Sequence, residues 1–121
     1  MEESTEITFS EVSSDASLIF LSGMIGLDPE TNELKSGLKS QTIQMVENLN
    51  TVLKLAGSSF SHVKRMTIFL QDIEQFHEFN STFKECLEKY ACYPGRTHLA
   101  VKGLPKGALV EADVIAIENI Q

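Results

Sequence analysis

Hydrophobic residues change their spacing several times along the chain, and each spacing predicts a different element. Residues 18–21 form a continuous apolar run that ends at Ser22 and Gly23, as a buried strand does. From Ser40, a candidate N-cap, apolar residues recur at helical spacing until Gly57, a residue that favours helix ends. The predicted order is strand, strand, helix, strand, helix, strand, strand. The other expected strands begin at Ile7 and span 62–70, 97–101 and 109–117. The second helix follows Asp72, and its apolar stripe consists of Ile73, Phe76, Phe79, Phe83, Leu87 and Tyr90.

This order predicts an α/β (α+β) fold in which a mixed sheet carries both helices on one face. The 121 residues fit a single domain, and residues 103–107 resemble a hairpin loop between the last two strands. The sheet face opposite the helices is then uncovered. Thr97, Leu99 and Val101, or the residues that alternate with them, would line it, and neither set is strongly polar. Because an exposed apolar face usually finds a partner, we expect an oligomer.

Charge and composition narrow the function classes. The net charge of -7, from 10 basic and 17 acidic residues, argues against tight non-specific nucleic-acid binding, which relies on Lys and Arg. No stretch approaches the roughly 18 apolar residues of a membrane span, and the acidic start lacks the features of a signal peptide, so we expect a cytoplasmic protein. We expect Cys86 and Cys92 to be reduced. His62, His77 and His98 are dispersed, which predicts no metal site.

Two carboxylates interrupt the apolar strand predicted at 109–117. Glu111 and Asp113 share a face with Leu109 and Ile115, and an unpaired buried carboxylate costs several kcal/mol. Arg96 follows a turn and lies on the neighbouring strand in this interpretation, so it is the expected partner of one carboxylate. The pair is either a salt bridge that fixes strand register or a binding site. In such a site the arginine holds a substrate carboxylate and a glutamate handles a proton or activates water.

The same part of the chain carries a family resemblance. Residues 93–117, YPGRTHLAVKGLPKGALVEADVIAI, resemble the signature of the Rid family, the reactive intermediate deaminases, also called the YjgF family and labelled L-PSP endoribonuclease. FLSGMIGLDPETNEL resembles the family's first Ser-Gly strand and loop, and FHEFNSTF the start of its second helix. The resemblance therefore spans about residues 7–118. The matching signature residues are Pro94, Gly95, Arg96, Thr97, Leu104, Pro105, Lys106, Val110, Glu111, Ile115 and Ala116.

Membership of this family implies a chorismate-mutase-like fold and a homotrimer. The three sheets would form a central barrel, which would cover the open sheet face, and the sites would lie in clefts between subunits. The implied activity is hydrolysis of reactive enamine and imine intermediates, such as 2-aminoacrylate or 2-aminocrotonate, to 2-oxo acids and ammonia. These intermediates are released by pyridoxal-phosphate enzymes, and their hydrolysis requires no metal or organic cofactor.

The resemblance also implies roles for individual residues. Arg96 would grip the substrate carboxylate with two hydrogen bonds, and Glu111 would position or activate the attacking water. Ser22 and Gly23 would line the cleft near the substrate, and Asn80 would add a polar contact. These five residues are the centre of the expected site.

Three further positions complete the expected substrate site, and two of them depart from the family pattern. The backbone N–H of Thr97 would assist carboxylate binding. Phe9 stands where the deaminating subgroup has Tyr, so a hydroxyl that could order water is missing. His98 stands where active members often have Cys, and is either a proton carrier or a cleft-lining side chain without a chemical role.

Two other functions remain open at this point. The older family name implies a ribonuclease that restrains translation, which the net charge disfavours. The departures at Phe9 and His98 leave room for a non-catalytic regulator that binds a small carboxylate in the same cleft. Turnover of a 2-enamine acid distinguishes the deaminase from both alternatives.

Overall fold

The structure is a computed structural model that describes residues 7–13 and 16–119. Over these residues the elements follow the predicted order. One expected boundary is wrong: the first helix begins at Leu38, because Gly37 turns the chain with a φ of 89°, so Ser40 lies inside the first turn instead of capping it. The elements are β1 (Ile7–Ser13), β2 (Ala16–Ile25), α1 (Leu38–Leu55), β3 (Val63–Leu70), α2 (Phe76–Lys89), β4 (Gly95–Ala100) and β5 (Val110–Ile117).

The described strands form one mixed sheet in the order β1-β2-β5-β3-β4. Neighbouring strands are antiparallel except β3 and β4, which run parallel. The predicted hairpin between the last two strands is therefore wrong, because β3 lies between β4 and β5. Arg96 on β4 is consequently not on the strand next to Glu111.

Both helices pack on one face of the sheet, as predicted. On β5, every second residue from Val110 to Ala116 points into this covered face and is at most 2% exposed. Met66, Ile68 and Leu70 do the same on β3 and are fully buried. The helices supply the facing side of the core through Met45, Val46, Leu49, Leu53, Phe79 and Phe83.

The opposite face has no helix on it among the described residues; we call it the open face. The register places Phe20, Arg65 and Ile115 side by side there. A cavity of about 290 Å³ lies over these side chains and also reaches Thr67 and Asp113. This face is more polar than expected.

Neither helix combines the length and apolar character that a membrane crossing requires, within the part of the chain that the structure describes.

The segment after β2 is tied tightly to the start of α1. A methyl group at Gly26 would lie 2.4 Å from the backbone oxygen of Gln41, so only glycine allows this approach. The buried Gln41 side chain donates to the Lys35 carbonyl and accepts from the Leu109 N–H at 2.9 Å. These bonds hold the loop and the beginning of β5 together next to Glu111.

Candidate functional site

The structure separates the predicted site residues into two groups on opposite faces of the sheet. Arg96 lies opposite Met66 on β3, whereas Glu111 lies opposite Phe69. Since side chains alternate along a strand, residues 66 and 69 point to opposite faces. Within one chain, the expected pairing of Arg96 with Glu111 is therefore wrong, because both strand order and face separate the two residues.

The first group, which we call the arginine cluster, consists of Arg96, Asn80, His98 and Phe83. Arg96 Nη1 donates to Asn80 Oδ1 at 2.9 Å, and the guanidinium carbon lies 5.3 Å from the centre of the Phe83 ring. Two side chains of α2 thus orient the guanidinium from below. Among the described residues, Arg96 Nε and Nη2 have no hydrogen-bond partner. That edge has the shape that binds a carboxylate bidentately.

His98 lies beside Arg96 on the covered face, because β4 is an edge strand and α2 leaves room there. Its Nε2 is 3.5 Å from Arg96 Nη1. The centre of its ring lies 5.0 Å from that of Phe76 and 6.0 Å from that of Phe79, and both contacts are edge-on. Burial, and secondly the positive charge of Arg96, lower the pKa of His98. Burial also lowers the pKa of Arg96. The surroundings therefore favour a neutral imidazole.

The side chain of Thr97 points away from this cluster. It lies on the open face, where its hydroxyl accepts a hydrogen bond from Arg65 Nη2. The expected contribution of Thr97 concerns its backbone N–H and stays a prediction. Phe9 lies on β1 opposite Ile19, and its expected place in the cleft also stays a prediction.

The second group, which we call the carboxylate cluster, consists of Ser22, Gly23, Glu111 and Asp113. Ser22 and Gly23 form a bulge in β2, since these two residues stand against Asp113 alone. Gly23 has a φ of 74°, and its N–H donates to Asp113 Oδ1 at 2.8 Å. A methyl group at Gly23 would lie 3.4 Å from Glu111 Oε2. The glycine bulge therefore brings the backbone against both carboxylates.

Glu111 is half-buried in this cluster. Burial raises its pKa, and the negative charge of Asp113 raises it further. Within residues 7–13 and 16–119, no Lys, Arg or His forms an ion pair with it. Its carboxylate faces a cleft of about 540 Å³ that Gly23, Pro105 and Lys106 also line. A carboxylate with a raised pKa beside open space can exchange protons with a bound molecule.

Reasoning from the sequence missed the partner of Asp113. The residue was conspicuous as a carboxylate in an apolar strand, but the Gly23 N–H that binds it comes from another strand. The signal that could have identified it is the Ser-Gly pair inside a strand, which is typical of a bulge with a free N–H. No group of three or more His, Cys, Asp or Glu side chains in the described ranges is placed to hold a metal ion.

Comparison with known proteins agrees with the fold and with these motifs. A family model described as Endoribonuclease L-PSP matches residues 2–118. The human protein named 2-iminobutanoate/2-iminopropanoate deaminase is 35% identical over 102 residues, which are 84% of this chain and 73% of the human protein. A Lactococcus lactis protein named as a regulator, AldR, is 38% identical over 100 residues, 82% of this chain and 78% of that protein.

The solved structures include Escherichia coli TdcF with bound serine, which is 28% identical and superposes with a TM-score of 0.81 over 92% of this chain and 86% of TdcF. A single mixed sheet that carries both helices on one face, together with the Pro-Gly-Arg-Thr signature at residues 94–97, thus defines a chorismate-mutase-like α/β protein. The chain belongs to the L-PSP endoribonuclease family, which is also called the Rid or YjgF family. The resemblance found in the sequence is confirmed.

Proposed function

We propose that this protein is a hydrolase that deaminates reactive 2-enamine and 2-imine acids to 2-oxo acids and ammonia. The observation that carries the proposal is the guanidinium of Arg96. Asn80 and Phe83 fix its orientation while its Nε and Nη2 edge stays free of partners among the described residues. Small 2-enamine acids offer one strong handle, the carboxylate, and this edge fits it.

The chemistry then requires water and a proton acceptor. An enamine acid gains a proton at C3 and loses one from nitrogen to become the imine, and water adds to C2. In our proposal Glu111 takes one proton from that water and passes it to the nitrogen, which gives a carbinolamine with a hydroxyl and an amino group on C2. The hydroxyl proton then also passes to the nitrogen through Glu111, so that ammonia leaves while the C2–O double bond forms. The raised pKa of Glu111 suits such an exchange. Gly23 lines the same space, and Ser22 lies next to it in the bulge.

The two clusters lie on opposite faces of one sheet, so we propose that a complete site takes Arg96 from one subunit and Glu111 from another. A homotrimer with its sheets packed into a barrel would supply this arrangement and cover the open face. Phe20, Leu99 and Ile115 are partly exposed there in the single chain, which supports an interface between copies. Phe9 and Thr97 are proposed to complete the substrate site.

Two relatives support the reaction and the ligand class. The human relative is named for deamination of 2-iminobutanoate and 2-iminopropanoate. The TdcF structure holds serine, a small amino acid with a carboxylate. We extend both properties to this chain, together with independence from metal or organic cofactors.

The test is to generate 2-aminocrotonate in situ and to follow 2-oxobutyrate with and without the protein. We expect acceleration by the wild type and a loss of at least about 100-fold in Arg96→Lys, because a point charge cannot replace the bidentate grip. Arg65→Lys is the matched control, since it makes the same change at an arginine of the open face, and should keep most activity. Absence of acceleration by the wild type, or equal losses in the two variants, would contradict the proposal.

A regulator that binds a small carboxylate without turning it over is the second candidate. The relative named as a regulator, AldR, favours it, as do Phe9 and His98 at the two positions that depart from the deaminase pattern. Calorimetric binding of 2-oxobutyrate by a protein that shows no turnover would support this function. Ribonuclease activity is the least favoured candidate because of the net charge of -7. RNA cleavage by the wild type that disappears in Arg96→Lys would support the ribonuclease function.

A further inference from the structure

In the contact between Arg96 and His98, Arg96 must be the hydrogen-bond donor and His98 the acceptor. Arg96 Nη1 donates to Asn80 Oδ1 at 2.9 Å and lies 3.5 Å from His98 Nε2, the outer limit of a hydrogen bond; Nη1 carries two hydrogens, which suffice for both contacts. Arginine can only donate. The contact is therefore attractive only when Nε2 is unprotonated and the ring hydrogen is on Nδ1.

We propose that His98 is a positioning residue that holds Arg96 for carboxylate binding while its imidazole is neutral, and that protonation of His98 weakens the binding of acids. This inference rests on the proposed role of Arg96 as the carboxylate-binding group. It does not depend on whether the bound acid is turned over.

The imidazole is held in place by its neighbours. Phe76 and Phe79 meet its ring at interplanar angles of 78° and 65°, so two aromatic side chains of α2 border it. On β3 its register partner is the buried Ile68. Among the described residues, Asn80 Oδ1 and His98 Nε2 are the two side-chain acceptors within hydrogen-bond reach of Arg96 Nη1.

Among residues 7–13 and 16–119, few charged groups face His98. Arg96 is on the same strand as His98. Burial is the larger cause of the lowered pKa of His98, and the positive charge of Arg96 is the second cause. Glu74 and His77 line the cleft of about 530 Å³ into which His98 opens, together with Ile73 and Phe76. Glu74 and His77 are exposed, so water screens their charges. Arg96 therefore dominates the electrostatic environment of His98.

The sign of the pH effect follows from the geometry. Asn80 and His98 occupy Nη1, so a carboxylate takes the opposite edge, Nε and Nη2, on the far side of the guanidinium from His98. A protonated imidazole repels Arg96 at close range and attracts the carboxylate only at longer range. In the free protein a charged His98 no longer holds Arg96, and the guanidinium can relax within its Asn80 and Phe83 contacts, whereas a bound acid requires it to stay beside the charged ring. Binding of an acid therefore lowers the pKa of His98, and protonation of His98 weakens binding.

The experiment measures the affinity for 2-oxobutyrate by calorimetry between about pH 5 and about pH 8, the range in which histidines titrate. The wild type should bind more weakly as His98 becomes protonated. His98→Gln offers an acceptor oxygen that does not titrate, so it should keep the affinity at neutral pH and lose this pH dependence. His98→Phe fills the space without an acceptor and should weaken binding about three- to tenfold at all pH values. His77→Gln, in the same cleft, is the control and should titrate like the wild type.

Nuclear magnetic resonance of the imidazole gives a readout that needs no ligand. In Arg96→Gln the positive charge is removed, and the pKa of His98 should rise; in the wild type it should fall when 2-oxobutyrate binds. An unchanged His98 titration in Arg96→Gln, tighter binding of the acid on protonation, or the wild-type pH profile in His98→Gln would each overturn the proposal. If the acid binds as predicted but 2-aminocrotonate is not turned over, the deaminase proposal fails and the role of His98 stands.

Discussion

The covered face and the open face of this sheet accommodate charged side chains in different ways. On the covered face, Arg96 lies on the edge strand, where Asn80 and Phe83 of α2 contact one side of its guanidinium and the other side has no hydrogen-bond partner among the described residues. On the open face, Glu111 and Asp113 lie on the central strand β5 beside the β2 bulge, and the cleft at Glu111 is also lined by Asn48, Thr51 and Val52 of α1. A backbone N–H from the Gly23 bulge compensates one of these two carboxylates.

The difference shows why neither face is a complete site. The arginine cluster can bind an anion but includes no carboxylate that could accept a proton. The carboxylate cluster can accept a proton, but it includes no arginine to grip an acid bidentately, and Lys106, which lines its cleft, forms no ion pair with Glu111 in the part of the chain that the structure describes. Charges of opposite sign on opposite faces meet only if one copy of the chain presents its β4 edge to the open face of another. The experiments below test this division, beginning with the largest expected effect.

Neighbouring residues of β5 provide the strongest test. Val114 is 2% exposed on the covered face, whereas Ile115 points to the open face. Val114→Asp buries an unpaired charge in the core and should cost about 3 to 5 kcal/mol of unfolding free energy in urea titrations. Ile115→Asp should keep the helical circular dichroism of the wild type but lower the mass measured by light scattering at micromolar concentration. Ile115→Val is the control and should leave the mass unchanged.

The outcomes separate the two faces. If Val114→Asp were as stable as the wild type, the core assigned to the covered face would be wrong. An unchanged mass for Ile115→Asp would remove the open face from the interface between copies.

The division between faces also explains what the sequence could predict. Periodicity is local, so it identified both helices, the strand order along the chain and the face shared by Glu111 and Ile115. The position of β3 between β4 and β5 depends on pairing across the sheet, which no local pattern records. Residues 103–107 have hairpin chemistry but connect strands that do not pair. The predicted proximity of Arg96 and Glu111 was lost with that hairpin.

Cap and bulge chemistry shows the same limit on a smaller scale. Ser40 has the side chain of an N-cap, yet the helix begins after Gly37, whose φ of 89° only the backbone reveals. The residue types of the site were predictable, since Arg96, Asn80 and Glu111 fit the family signature. Their division into two clusters was not, because it depends on which face each strand presents once the strand order is set.

Mixing of subunits tests the shared site directly. Arg96→Ala and Glu111→Ala should each reduce deamination of 2-aminocrotonate at least about 100-fold, because each removes one of the two proposed functions. If the site uses one residue from each of two neighbours, random co-assembly in equal amounts should regain about a quarter of the wild-type activity. Co-refolding followed by the turnover assay measures this. Mixtures of Arg96→Ala with Arg96→Lys are the control and should stay inactive; no recovery in the first mixture would mean that the two residues do not act across subunits.

The smallest expected effect concerns the pair of carboxylates on the open face. Asp113→Asn removes a negative charge next to Glu111 but keeps an oxygen that can accept the Gly23 N–H. Burial raises the pKa of Glu111 and Asp113 raises it further, so the substitution should lower that pKa and leave Glu111 ionised at more acidic pH. If ionised Glu111 is the base, the acidic limb of the kcat/KM profile for 2-aminocrotonate shifts to lower pH by less than about one unit. Glu85→Gln, which makes the same charge change on the exposed side of α2, should leave the limb in place. An acidic limb that stays in place while the basic limb shifts to lower pH would show that Glu111 acts in its protonated form, and would make it the proton donor to C3 instead of the acceptor from water.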